Sequence, residues 1–190
     1  MIHLIGFPGT GKYTIAKHMA VLQGGGVRRL VVVDNHYVSN PIFGVMDVDG
    51  ITAIDPAVWG YVRKVRVAVM EAIRDLSPPG WSFVLTNVLL GGNAEDESAP
   101  AALAALAEAR GAAFVPVRLH CQVDELTRRA VSPQRGERLK WRDGGGVRAM
   151  AESRSLIDLS HPNAFDLDVS ALPAEIAAGL VLAHAAEAAA

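Results

Sequence analysis

The sequence predicts a three-layer α/β/α protein built on a five-stranded parallel sheet, and three observations predict it. Five short apolar segments, at residues 2–5, 29–33, 81–86, 113–120 and 165–169, alternate with segments of helical periodicity. That alternation is the pattern of a parallel sheet whose strands are joined by helical crossovers on both faces. The first apolar segment runs directly into a glycine-rich turn and then a helix. The chain has 190 residues, 51% of them hydrophobic, with no charge block or low-complexity linker, which fits one domain over residues 1–190 with a substantial core.

Residues 2–5 read as the first strand, and residues 14–22 as a helix in which Ile15, Met19 and Leu22 recur at helical spacing. Gly24, Gly25 and Gly26 close that helix. Residues 29–33 are continuously apolar, as a strand buried on both faces is, and Asp34 marks its end. Residues 35–55 carry turn signals such as Asn40-Pro41, and residues 56–76 read as a helix with Val58, Val62, Val65, Val69 and Ile73 on one face. Pro78-Pro79-Gly80 opens the third strand, at 81–86. A helix over 99–109 leads to the fourth strand, where Pro116 favours an edge or irregular position. A helix over 124–131, a polar basic loop over 132–146 and a helix from 147 to about 156 precede the fifth strand. Pro173 starts the last helix, at the position where proline is tolerated. The alanine-rich tail lacks Lys and Arg, which favours a packed helix over one lying on a membrane.

The glycine-rich turn is Gly6-Phe7-Pro8-Gly9-Thr10-Gly11-Lys12-Tyr13-Thr14, the Gly-x4-Gly-Lys (Walker A) spacing of a phosphate-binding loop between a strand and a helix. The glycines let consecutive N–H groups point at one anion, Lys12 reaches the β- and γ-phosphates, and the positive end of the following helix faces the same charge. The chain's own glycine and lysine frequencies make a chance match roughly 0.04, so the loop points to a nucleotide. The usual pattern places Ser or Thr directly after the lysine to ligate Mg²⁺. Here Tyr13 intervenes and the hydroxyl arrives one residue later, at Thr14.

Composition narrows the partners. The formal net charge is −2, which gives no electrostatic case for nucleic acid or an anionic membrane. Cys121 is the only cysteine and reads as a core thiol, so neither a disulfide nor a cysteine zinc site is expected. No leader or membrane-spanning apolar run is evident, and a cytoplasmic location is the expectation.

The segment GFPGTGKYTIAKHMA resembles the adenylate kinase loop, which also has one residue between its Lys and its Thr. Tyr13 stands where that family has a small residue. The order of elements, with a phosphate loop after the first strand and a late basic loop, is similar to the nucleoside monophosphate kinase and shikimate kinase-like group of P-loop kinases. The resemblance implies a P-loop NTPase fold, ATP and Mg²⁺ as cofactors, Thr14 touching phosphate or metal, and an arginine-rich lid at about 132–143. It also implies Arg128 against the adenine, and Arg148 and Arg154 reaching phosphate from beyond the loop.

Residues 118–154 hold nine of the 18 Lys and Arg residues against five acids. A mobile arginine loop that closes on ATP neutralises the charge spread over a phosphoryl group in transfer, and Arg135 and Arg138 are the lid candidates. The alternative is a solvated charged helix with i,i+4 partners, such as Glu125 with Arg129. The acceptor side spans about 35–76. Asp34, at a strand's C-terminal end, either takes a proton from a hydroxyl acceptor or holds Mg²⁺, as in shikimate-kinase-like enzymes, or it caps a turn with Asn35. His36 is a second base, a substrate contact or a surface residue. Thr86-Asn87 ends the third strand where adenylate kinases carry an aspartate and an arginine, while Arg63, Lys64 and Arg66 either bind an anionic acceptor or are exposed helix charge. The expected activity is a kinase that moves the γ-phosphoryl group of ATP to a small, hydroxyl-bearing acceptor. The alternatives are a nucleotide kinase and a nucleotide-binding regulatory module with little catalysis.

Overall fold

The computed structural model describes residues 1–24, 29–46, 48–133, 135 and 139–189. Five strands form one parallel sheet in the order β2-β3-β1-β4-β5: β1 (Ile2–Ile5), β2 (Leu30–Asp34), β3 (Ser82–Asn87), β4 (Val115–His120) and β5 (Phe165–Asp168). The helices are α1 (Lys12–Leu22), α2 (Asn35–Phe43), α3 (Val58–Asp75), α4 (Ala94–Ala109), α5 (Val123–Ala130), α6 (Gly144–Ser153) and α7 (Ala174–Glu187). Among the described residues no helix is long and apolar enough to cross a membrane.

Each face of the sheet has its own core. On one side Ile15, Ala16 and Met19 of α1 and Ala177, Ala178 and Val181 of α7 pack on Leu4, Val84, Val117 and Leu119. The small alanines let α7 lie close to α1, so the alanine-rich segment is a packed helix. On the other side Ile73 of α3 and Leu103, Leu106 and Ala107 of α4 meet Phe83, Leu85 and Phe114. A third cluster of Val38, Phe43, Val58 and Val62 joins α2 to α3 beyond the sheet.

β2 is an edge strand with partly buried central valines, and both of its faces are covered as expected, Val32 by the first core and Val31 and Val33 by the second. Four expectations change. β4 lies between β1 and β5 despite Pro116. Val115 N–H donates to Met1 O, so in a parallel ladder the next nitrogen, that of Pro116, faces the β5 side, where pairing begins only at Val117–Phe165. The missing donor therefore costs no ladder bond. Residues 35–43, read as loop, form α2 with Pro41 inside it, because Val38 and Phe43 gain burial against α3. Finally, α4 begins at Ala94, where Asn93 accepts the Glu95 and Asp96 N–H groups, and α6 begins at Gly144. Residues 25 and 26 of the glycine run lie outside the described residues.

Candidate active site

The Gly-x4-Gly-Lys loop joins β1 to α1, as its spacing requires. Gly9 and Gly11 adopt φ of 92° and 93°, the left-handed region that disfavours other residues. Gly9 is constrained twice, since a Cβ there would lie 2.5 Å from Leu126 O of α5. Thr10 is buried, and its hydroxyl donates to Phe7 O, which fixes the loop's curvature. Arg129 braces the loop from behind, donating to Thr10 O (3.4 Å), Val169 O (3.2 Å) and Ser170 O (3.1 Å).

Lys12 folds over this loop and donates to Gly6 O at 2.6 Å and Phe7 O at 2.9 Å. Burial pushes its ammonium down to about 7; Lys140 adds to the shift, Asp34 opposes it and Arg135 adds again. Among the described residues, Asp34 and three cations thus share one electrostatic neighbourhood, a surplus of positive charge suited to a polyanion.

Asp34 ends β2 and precedes α2, so its buried carboxylate lies at the C-terminal ends of the strands, where parallel sheets bind ligands. Thr86 Oγ1 donates to Asp34 Oδ1 at 2.5 Å, and Lys140 Nζ lies 3.1 Å from Asp34 Oδ2. No side-chain cap bond from Asp34 to α2 is present, which argues against the turn-cap reading. His36 is part-buried beside it, bonded to Asn40 (3.2 Å), and burial with the nearby Lys140 lowers its imidazole to about 4. It is therefore neutral at neutral pH.

Of the two lid candidates, Arg135 donates twice to Trp141 O (2.8 and 3.1 Å), and burial lowers its pKa while Asp34 opposes that shift. Arg138 lies outside the described residues. Arg128 is exposed and paired with Glu125, Arg148 pairs with Asp124 and Glu152, and Arg154 reaches Gly91 O. Thr14 is exposed on the first turn of α1. Tyr13 instead turns its ring toward Lys140 (4.8 Å to the centroid) and its hydroxyl toward Tyr37 (3.1 Å).

On the acceptor side Arg63 pairs outward with Glu95, whereas Arg66 reaches the C-terminal ends of β2 and β3. Its Nη2 donates to Asn35 Oδ1 (2.7 Å). Asn87, with its amide oriented so that oxygen accepts from Arg66 Nη1 (2.6 Å) and nitrogen donates to His3 Nε2 (3.0 Å), links the guanidinium to a buried neutral histidine. Burial lowers His3 to about 4. Sequence reasoning missed Lys140 and Thr86 as partners of Asp34. Lys140 was one cation among nine in its segment, and nothing local in the chain distinguishes it.

No protein-family model and no curated protein sequence matches the chain. Solved structures do. A gluconokinase from Sinorhizobium meliloti is similar at a TM-score of 0.61 and 18% identity, over 99% of this chain and 92% of that one. Kti12 from Chaetomium thermophilum, solved with ADP-AlF3, gives 0.61 and 12% over 100% of both chains. The APS kinase of Mycobacterium tuberculosis, solved with AMPPNP and APS, gives 0.55 and 16% over 96% and 95%. With its loop, sheet order and these likenesses, the chain has the three-layer fold of the P-loop kinases in the nucleoside monophosphate kinase and shikimate kinase-like group.

Proposed function

We propose that the protein is an ATP-dependent kinase that transfers the γ-phosphoryl group to a small acceptor bearing a hydroxyl. The observation that carries this reading is the convergence of Lys12, Arg135 and Lys140 with one buried carboxylate, Asp34, at the phosphate-binding loop. In the step, the acceptor oxygen bonds to the γ-phosphorus, its proton passes to Asp34, and the bond to the β–γ bridging oxygen breaks to release ADP. Lys12, Arg135 and the loop N–H groups hold the phosphates, and the lid cations offset the charge that spreads over the transferring oxygens. Thr14 and Asp34 would hold Mg²⁺, which when bound offsets phosphate charge. Asp34 fits that role because Oδ2 is buried, makes no hydrogen bond among the described residues and already faces a cation. An ADP-release screen over sugars, nucleotides and antibiotics tests the activity. With the acceptor found, Asp34→Asn is expected to lower turnover by about 10²-fold or more with little change in ATP affinity. A shifted Mg²⁺ dependence instead assigns Asp34 to the metal.

Arg66 favours a second reading. A part-buried guanidinium at the strand ends suits an acceptor that carries phosphate, as in a nucleotide kinase. Loss of activity in Arg66→Ala with nucleoside monophosphates, and full activity in Asp34→Asn, selects it. Tyr13 in place of a small residue, and the likeness to Kti12, suit the nucleotide-binding regulatory module; nucleotide binding without ADP release on any acceptor is its signature.

A further inference from the structure

Lys140 occupies the buried carboxylate of Asp34 in a closed arrangement. Its Nζ is 3.1 Å from Asp34 Oδ2, the two side chains being 13% and 5% exposed, and the face of Tyr13 lies against the same ammonium. Thr86 holds the other carboxylate oxygen, so Asp34 cannot simply turn away. The segment that carries Lys140 is fastened to the acceptor side. Leu139 packs on the cluster of Val38, Phe43, Val58 and Val62, Arg142 N–H donates to Gly50 O (2.8 Å), and Arg142 Nη2 donates to Asp49 O (3.1 Å).

Resting on the kinase reading above, we propose that Lys140 is the resting counter-ion of Asp34. It keeps residues 139–142 closed on the acceptor-side insertion until nucleotide phosphates draw it off the carboxylate, and Asp34 then becomes free for acceptor or metal. A triphosphate outcompetes a single carboxylate for an ammonium because it carries more charge. Tyr13 seats the ammonium through its ring. A divalent cation and Lys140 compete for the same Oδ2, so the lysine must leave before a metal takes that oxygen.

Hydrogen exchange on the full chain without nucleotide tests this. Exchange at 139–142 is expected to speed by about fivefold or more in both Lys140→Met and Asp34→Asn, and no further in the double variant, because one pair is broken in all three. Asp34→Asn keeps shape and leaves the lysine intact, so the test stays decisive if Lys140→Met fails to fold. Calorimetry with a non-hydrolysable ATP analogue should show the Mg²⁺ needed for half-maximal binding falling by about fivefold in Lys140→Met. Unchanged exchange in Asp34→Asn overturns the proposal, as does an unchanged Mg²⁺ requirement. Wild-type protein that binds no analogue overturns the kinase reading and the nucleotide trigger together, while the exchange arm, which uses no nucleotide, still decides whether Lys140 and Asp34 hold the segment closed.

Discussion

Thr86 is the anchor of Asp34: one hydroxyl on β3 donates to the carboxylate at the end of β2 and accepts the Asn35 N–H at 3.1 Å. Both residues are buried, so the bond is made in a medium where its loss leaves a carboxylate oxygen unsatisfied. Thr86→Val keeps the shape and removes the donor. It is expected to cost about 1–3 kcal/mol in denaturant unfolding, while Thr86→Ser costs less.

Nucleotide binding beside Lys12 is expected to take up a proton. The lysine's ammonium is lowered to about 7 from an ordinary 10.5, first by burial and then by Lys140, so above pH 7 the folded protein binds fewer protons here than the unfolded chain. Stability from this group therefore rises with pH between about 7 and 10.5, and the burial penalty is fully present below 7. Phosphate beside Lys12 favours the charged form. Calorimetry of ATP binding at pH 8 in buffers of different ionisation enthalpy should show net proton uptake in the wild type and much less in Lys12→Met.

Gly9 and Gly11 share a backbone conformation but not a neighbourhood. Alanine at either meets the left-handed strain of about 1–2 kcal/mol, yet only at Gly9 does the new carbon run into backbone, Leu126 O at 2.5 Å. At Gly11 the nearest atom is Arg129 Nη1 at 3.9 Å. Gly9→Ala should thus lower the melting temperature more than Gly11→Ala, with the larger loss of ATP affinity.

The phosphate loop was legible because its glycines, lysine and flanking hydrophobic periods are local in sequence. Strand alternation was legible for the same reason. Helix α2 was not, since Pro41 and Asn40 signal a turn locally and only burial of Val38 and Phe43 against α3 outweighs them. The site's charges divide in the same way. Glu125 with Arg129 and Arg148 with Glu152 follow from helical spacing, whereas the pairing of Asp34 with Lys140 joins residues brought together only by the closed fold.

The order of strands carries a consequence for how the chain is made. β1, the support of the phosphate loop, sits at the centre of the sheet and pairs Ile2 with Val84 on one side and with Val115 on the other. As the chain leaves the ribosome, the loop thus emerges well before it can be framed, because both neighbours of its strand are synthesised long after it. Contacts of such sequence separation slow folding, and they leave an apolar strand waiting for its partners. Synthesis halted before β4 should yield a nascent chain with the complete Gly-x4-Gly-Lys sequence and no nucleotide affinity.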